Sequence, residues 1–250
     1  MKTGLLTYAR TNSYRLPGKV LLEVMGRPIL SYQIERLKNA KKTECFILAT
    51  TPLAEDDVLA DLARAEGLAL YRGSVEDLIE RMLHGAQAHG VDFLVTVGSD
   101  NIFVDPCHVD LLIDQYEKTG ADFLYCPDLP LGASPYAVKV SALETCHRNH
   151  QGKTDHGWDL YFLKNKRYRV ERVPVAEELR RPELRMTMDY LEDFQFFKAV
   201  LETLYSPGCG FPLQAIIRFI DTHPAAAALA QERVNDWNNL RKTFEKNIKE

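Results

Sequence analysis

The segment from Arg10 to Lys19 reads Arg-Thr-Asn-Ser-Tyr-Arg-Leu-Pro-Gly-Lys. Arg10, Arg15 and Lys19 supply three cations, Ser13 a hydroxyl, and Gly18 a backbone free to approach a ligand. A polyphosphate needs several charges and donors at once, and this inventory meets that need. A solvated basic loop would carry the same residues, and spacing alone leaves both readings open. Two familiar phosphate loops are excluded. Val20 follows Gly18-Lys19 where Ser or Thr would hold magnesium, and no Gly lies five residues upstream. The Gly-x-Gly-x-x-Gly fingerprint is also absent.

Two carboxylates stand out. Asp100 follows an apolar strand pattern, and Asp189 follows the short run Met186-Thr187-Met188. Distant carboxylates meeting at one sheet edge form the usual Mg²⁺ site, in which water and phosphate complete the shell. By itself, Asp100 could equally be a turn residue. Asp193 begins a helical pattern, where an Asp most simply caps free backbone N–H groups.

The elements that must position these groups alternate. Gly4–Ala9, Cys45–Thr50, Leu68–Tyr71, Asp92–Val97 and Ala121–Cys126 read as strands. Between them, helices are expected from Pro28 and over Ala54–Glu66, Glu76–His89 and His108–Lys118. Buried-looking strands alternating with helices imply a mostly parallel sheet covered on both faces. The loop after the first strand then lies where such sheets bind ligands, beyond the strands' carboxyl ends. Tyr136–Val140 and Tyr168–Val173 read as further strands separated by a polar, His-rich stretch. A helix follows Asp193, Pro207-Gly208-Cys209-Gly210 is a break, and Gln214–Asp221 and Ala225–Asn247 read as two more helices.

Composition narrows the function classes. The 250 residues carry 31 Lys plus Arg against 35 Asp plus Glu, a net charge of −4, and are 46% hydrophobic. That describes a globular protein, not a disordered chain or a nucleic-acid binder with a basic overall surface. No apolar run reaches the ~20 residues of a membrane span, and no secretory leader is evident. The five cysteines lack Cys-x-x-Cys spacing and read as scattered thiols of a cytoplasmic protein. His147 and His150 lie three apart, but no matching carboxylate or Cys accompanies them, so no metal site is expected there. Lys2, Arg10, Arg15 and Lys19 precede the first carboxylate, Glu23. Lys2 comes before the first strand and belongs at the opposite sheet edge. A second basic run, Lys164, Lys166, Arg167, Arg169 and Arg172, reads as solvent-facing.

The pattern Arg10-x-x-Ser13-x-Arg15-Leu16-Pro17-Gly18-Lys19, followed by Gly26-x-Pro28-Ile29-Leu30, resembles the cytidylyltransferases that make CMP-activated acidic sugars. The resemblance is closest to the spore coat polysaccharide biosynthesis branch and extends to the Kdo and acylneuraminate cytidylyltransferases. Ala49-Thr50-Thr51, Arg72-Gly73-Ser74-x-x-Asp77, Val95-Thr96-Val97-Gly98-Ser99-Asp100 and Thr187-Met188-Asp189-Tyr190-x-Glu192-Asp193 continue it, over roughly residues 4 to 200.

The resemblance implies a Rossmann-like, GT-A-like α/β nucleotidyltransferase: a three-layer, mostly parallel sheet with a small acceptor and dimerisation lobe. It implies a catalytic domain over 1–205, with the lobe at about 127–185, and a C-terminal helical appendage over 206–250. The implied activity is CMP transfer from CTP to an acidic sugar-like acceptor, with Mg²⁺ and release of pyrophosphate, in a homodimer. Arg10, Ser13, Arg15, Gly18 and Lys19 would hold the triphosphate, with Thr50, Arg72, Gly73, Ser74 and Asp77 nearby. Asp100 and Asp189 would hold the metal. Ser134, Tyr136, His156 and Trp158 would face the acceptor.

Ser99-Asp100-Asn101 departs from the family's Gly-Asp pattern, and Tyr190-Leu191 replaces its Thr-Pro; neither change removes a metal ligand. The competing readings are a nucleotide-sugar binding protein without turnover and a glycosyltransferase. The intact Asp100 and Asp189 speak against the first. The lack of Asp-x-Asp at the fourth strand end speaks against the second.

Overall fold

The computed structural model describes residues 1–150, 154, 157–208 and 210–247. In chain order the strands are β1 (Thr3–Tyr8), β2 (Glu23–Val24), β3 (Arg27–Pro28), β4 (Cys45–Thr50), β5 (Ala69–Arg72), β6 (Phe93–Gly98), β7 (Phe123–Tyr125), β8 (Tyr136–Lys139) and β9 (Val170–Arg172). The helices are α1 (Ile29–Leu37), α2 (Asp57–Ala65), α3 (Leu78–Ala88), α4 (Pro106–Thr119), α5 (Val140–Asn149), α6 (Leu160–Leu163), α7 (Leu191–Leu204), α8 (Leu213–Thr222), α9 (Pro224–Gln231) and α10 (Val234–Asn247).

Seven strands form one sheet in the order β5-β4-β1-β6-β8-β7-β9, and β2 and β3 pair separately. β5, β4, β1 and β6 run parallel, whereas β8 is antiparallel to both neighbours. The chain leaves β1 toward β4 and β5, then returns to β6 on the other side of β1. The topological switch point therefore lies between β1 and β6, where α/β sheets open a ligand crevice. The loop after Tyr8 and the turn after Gly98 flank it. Reversal of β8 brings Tyr136 opposite Thr96 and Tyr125, so both tyrosines reach the same sheet edge. Lys2 bonds Asp92 and the His89 carbonyl before β1 begins, at the opposite edge.

β6 is buried along its whole length, as its nearly all-apolar pattern, broken by Thr96 alone, leads one to expect. One core face packs Leu5, Val95 and Leu124 against Leu112, Phe197 and Ile216. The other packs Leu6, Ile47 and Leu94 against Ile79, Met82 and Leu143. α4 has a well-defined start and stop: Asp105 accepts the Cys107 N–H at 3.1 Å, Pro106 opens the helix, and Gly120 closes it at φ 63°.

Three features depart from the sequence expectations. α5 fills part of the stretch read as a polar interruption. Its buried stripe of Val140, Ala142, Leu143 and Cys146 is masked in the sequence by a polar, His-bearing outer face. The expected single helix over Ala225–Asn247 is two helices, α9 and α10. α7 begins at Leu191, which puts Asp193 in its first turn; its carboxylate still caps, accepting the Tyr190 N–H at 2.8 Å. α8 belongs to the same core as α7, so apolar packing continues past residue 205. The described cysteines Cys45, Cys107, Cys126 and Cys146 are free thiols. Lys164, Lys166, Arg167, Arg169 and Arg172 are exposed.

Candidate active site

The loop after β1 is anchored at its base. Asp56 Oδ1 accepts both the backbone N–H and the hydroxyl of Thr11 at 2.7 Å, and Asp56 also takes the Thr51 hydroxyl. Burial acts to raise the Asp56 carboxyl pKa, but the Thr51 and Thr11 hydrogen bonds outweigh it and hold it below its ordinary value. Gly18 then turns the chain at φ 68° and donates to the Thr11 carbonyl at 2.9 Å. A side chain is disfavoured in that left-handed conformation. The turn delivers Lys19 inward.

Lys19 is the hub of a buried charge cluster. Its Nζ lies 3.1 Å from Asp100 Oδ2, 3.1 Å from Asp189 Oδ1 and 2.6 Å from the Met188 carbonyl. Arg15 reaches Asp189 Oδ1 at 2.5 Å. Arg185, 2% exposed, holds Asp189 Oδ2 at 3.3 Å and pairs with Asp193. Three cations thus face three carboxylates. Burial acts against the charges of Arg15, Lys19 and Asp189 and is overcome by their partners. The Asp189 carboxyl is held well below the usual carboxylate range by Lys19 and Arg15, and the Lys19 ammonium is raised by Asp100 and Asp189.

The two carboxylates fit a hard divalent cation. Both reach the Lys19 ammonium, which brings carboxylate oxygens from two elements together, the donor type such an ion takes. Gly98 makes room for Asp100, because a Cβ there would lie 2.6 Å from Asp100 Oδ1. Asp100 is the more open of the pair, with its side chain 31% exposed against 5% for Asp189.

Two cavities meet at this corner. A recess of about 90 Å³ is lined by Arg10, Ser13, Arg15, Lys19, Arg81, Ser99 and Asp100. A larger cleft of about 650 Å³ lies beside it, and Tyr8, Arg15 and Asp100 line both. Tyr125, Tyr136 and Trp158 form an aromatic wall in the cleft; the Tyr136 and Trp158 rings meet edge-on at 5.7 Å. Gly132 lets the chain cross beneath the cleft, since a Cβ there would stand 2.2 Å from the Met186 carbonyl.

Of the residues expected at the site, Arg10, Ser13, Arg15, Lys19, Asp100 and Asp189 come together. Ser134, Tyr136 and Trp158 line the cleft, though the Ser134 hydroxyl is engaged by the Cys126 N–H and Pro135 carbonyl. His156 lies outside the described residues. Thr50 is buried at the end of β4. Arg72, Ser74 and Asp77 are not brought to the recess. The Arg72 guanidinium bonds the Thr51 and Leu53 carbonyls and Asp57, Ser74 accepts the Asp77 N–H, and Asp77 caps α3. A Cβ on Gly73 would strike the Tyr71 ring at 2.5 Å.

Several cleft residues escaped the sequence reading. Arg185 could have been found, because Arg185, Thr187 and Asp189 alternate with Leu184, Met186 and Met188, the pattern of a two-faced extended segment. Trp237, Asn238 and Arg241 of α10 also line the cleft. Arg241 grips Asp159 with both nitrogens, at 3.0 and 2.6 Å, which docks α10 beside Trp158. Nothing in the spacing of that helix announces a site.

Known proteins resemble this chain. A family model described as cytidylyltransferase matches residues 5–233. The spore coat polysaccharide biosynthesis protein SpsF of Bacillus subtilis is 28% identical over 208 residues, spanning 78% of this chain and 84% of that one. An uncharacterised protein of Methanocaldococcus jannaschii is 28% identical over 226 residues, spanning 90% and 92% of the two chains. A solved cytidylyltransferase from Leptospira borgpetersenii superposes with a TM-score of 0.82 at 27% identity, covering 91% of this chain and 97% of its own.

Proposed function

The chain belongs to the cytidylyltransferase family and is a CTP-dependent nucleotidyltransferase; from that premise we propose that it transfers CMP to an acidic sugar-like acceptor, in surface polysaccharide or glycoconjugate biosynthesis. The carrying observation is that the basic recess and the aromatic cleft share Tyr8, Arg15 and Asp100. A donor in the recess and an acceptor in the cleft would meet at those residues, which supplies the proximity that group transfer needs.

In this reading Arg10, Arg15 and Lys19 bind the triphosphate and stabilise the charge that develops on departing pyrophosphate. The recess of about 90 Å³ is lined by all three cations and by Ser13. Phosphate oxygens then take over Arg15 and Lys19 from Asp189 and Asp100. That exchange frees the carboxylates, and Asp100 and Asp189 are the residues that would hold Mg²⁺. Bound there, Mg²⁺ supplies charge neutralisation at the reacting phosphate. Arg185 stays on Asp189 and Asp193 and keeps the carboxylate aimed. On the acceptor side, Tyr125, Tyr136, Trp158 and Trp237 offer flat apolar faces to a sugar ring. The aromatic wall also excludes water that would compete as a nucleophile. The SpsF relationship supports polysaccharide biosynthesis as the setting.

Pyrophosphate release with each nucleoside triphosphate and Mg²⁺, against a panel of acidic and neutral sugars, tests this. CTP-specific release with an acidic sugar is expected. Release equal with neutral sugars would overturn the acceptor class. The proposal includes a cytoplasmic homodimer. Light scattering giving the mass of one chain would remove the dimer, and no helix among the described residues is long and apolar enough to cross a membrane.

A further inference from the structure

Outside the charge cluster, the fold assembles a second group of potential ligands. Asp77, at the start of α3, lies against the end of α5. Its Oδ2 stands 3.0 Å from His150 Nε2 and 3.5 Å from His147 Nδ1. One ligand atom from each of the three residues lies within 4.8 Å of the others. The carboxylate that the His147-x-x-His150 pair lacks in sequence thus comes from some seventy residues upstream.

The surroundings prepare these atoms for a cation. The other oxygen of Asp77, Oδ1, accepts the Thr154 hydroxyl at 2.5 Å and the Glu80 N–H at 3.1 Å, which fixes the carboxylate and turns Oδ2 toward the histidines. The His150 side chain is 5% exposed, and its Nδ1 lies 3.2 Å from the Cys146 carbonyl. A carbonyl only accepts, so Nδ1 carries the ring proton. In the neutral ring, Nε2 then presents a lone pair to a carboxylate oxygen. His147 Nδ1 is shut off from solvent and makes no hydrogen bond among the described residues. Three lone-pair atoms therefore face one small space, with hydrogen bonds behind two of them. Ligating histidines are oriented in this way, by a carbonyl on the far nitrogen.

We propose that Asp77, His147 and His150 form a binding site for a zinc-class divalent transition metal. Two imidazoles and a carboxylate suit such an ion, with water in the fourth position. Bonds of about 2.1 Å at tetrahedral angles separate ligand atoms by about 3.4 Å, close to the spacings to Asp77 Oδ2. The ion would tie the start of α3 to the end of α5. Because α3 carries Leu78 and Arg81 into the wall of the basic recess, the site braces that wall from behind. It is separate from the Asp100–Asp189 pair and does not depend on the proposed acceptor.

The test is metal uptake by the full chain after chelator dialysis. Cobalt(II) should bind at one equivalent with the intense visible absorption of a tetrahedral site, and zinc should displace it. His147→Ala, at the partly exposed edge of the cluster, should weaken binding at least ~10-fold without changing the circular dichroism of the metal-free chain. His150→Gln should do the same, and Asp100→Asn should bind as the wild type does. No uptake at micromolar zinc overturns the site. Unchanged uptake in folded His147→Ala, or loss of uptake in Asp100→Asn, overturns it equally.

Discussion

The basic corner and the aromatic cleft share one wall but are built by opposite means. In the corner, Arg15, Lys19 and Arg185 are matched against Asp100, Asp189 and Asp193; every charge is paired, and all but Arg15 and Asp100 are buried. In the cleft, about 650 Å³ is bounded by aromatic rings and by segments spread from Tyr8 to Phe244. The corner holds its residues by mutual charge, so changing one strands another. The cleft is held by docking of separate elements, so its residues can vary more independently. A chemistry shared by a family suits the first construction, and a variable acceptor suits the second.

The sharpest way to break the contrast is Asp100→Asn. Asp100 is the open carboxylate at the shared wall, and its loss should lower kcat by ~10²–10³ or more, with an unchanged circular dichroism spectrum. Near-normal turnover would remove Asp100 from the chemistry and leave the corner a purely structural cluster.

Lys19→Ala comes next and tests whether the corner acts as a unit. Removing one partner of a buried pair costs about 3–5 kcal/mol, because the other charge stays behind. Denaturant melts should show that loss, and CTP affinity should fall by ~10²-fold or more while CMP affinity falls much less. Equal loss for CTP and CMP would mean that Lys19 does not meet the outer phosphates.

Arg241→Ala probes the cleft. Releasing α10 from Asp159 should raise the acceptor KM by about 10-fold, the size of one charge-assisted hydrogen bond, and leave the CTP KM unchanged. A matching rise in the CTP KM would show that the two regions are not independent.

How legible each region was in the sequence follows the same division. Arg10 to Lys19 is contiguous and follows a strand, so its place and charge could be read directly. Asp100 could be read because β6 is nearly all apolar and its end is unambiguous. Arg185 could be placed on one face of an alternating segment with Thr187 and Asp189, but its burial could not, since a buried arginine looks like a surface one until its carboxylates are known to converge. Trp237 and Arg241 were hidden because α10 reaches the cleft through tertiary docking alone. α5 was hidden because its buried stripe is interrupted by polar residues, and with it went the meeting of Asp77 with His147 and His150. Local pattern reports which face a segment buries, but not which distant segment will complete it.

The smallest expected effect is a flat line, and it isolates the corner. The Asp189 carboxyl is depressed in the folded chain, mainly because Lys19 and Arg15 outweigh its burial. Its contribution to stability is therefore fully present above the unfolded value of ~3.9 and is lost as pH falls through the folded one. Lys19 is raised, so its contribution is fully present below ~10.4 and is lost only as pH climbs through the folded value. Between ~5 and ~9 neither group changes charge in either state. The stability gap between the wild type and Asp189→Asn should thus stay constant over that range in denaturant melts, and narrow below about pH 4. A gap that changes near neutrality would mean that a group other than the paired charges sets the energy of the corner. The corner would then share the cleft's dependence on packing, and the distinction between the two regions would fail.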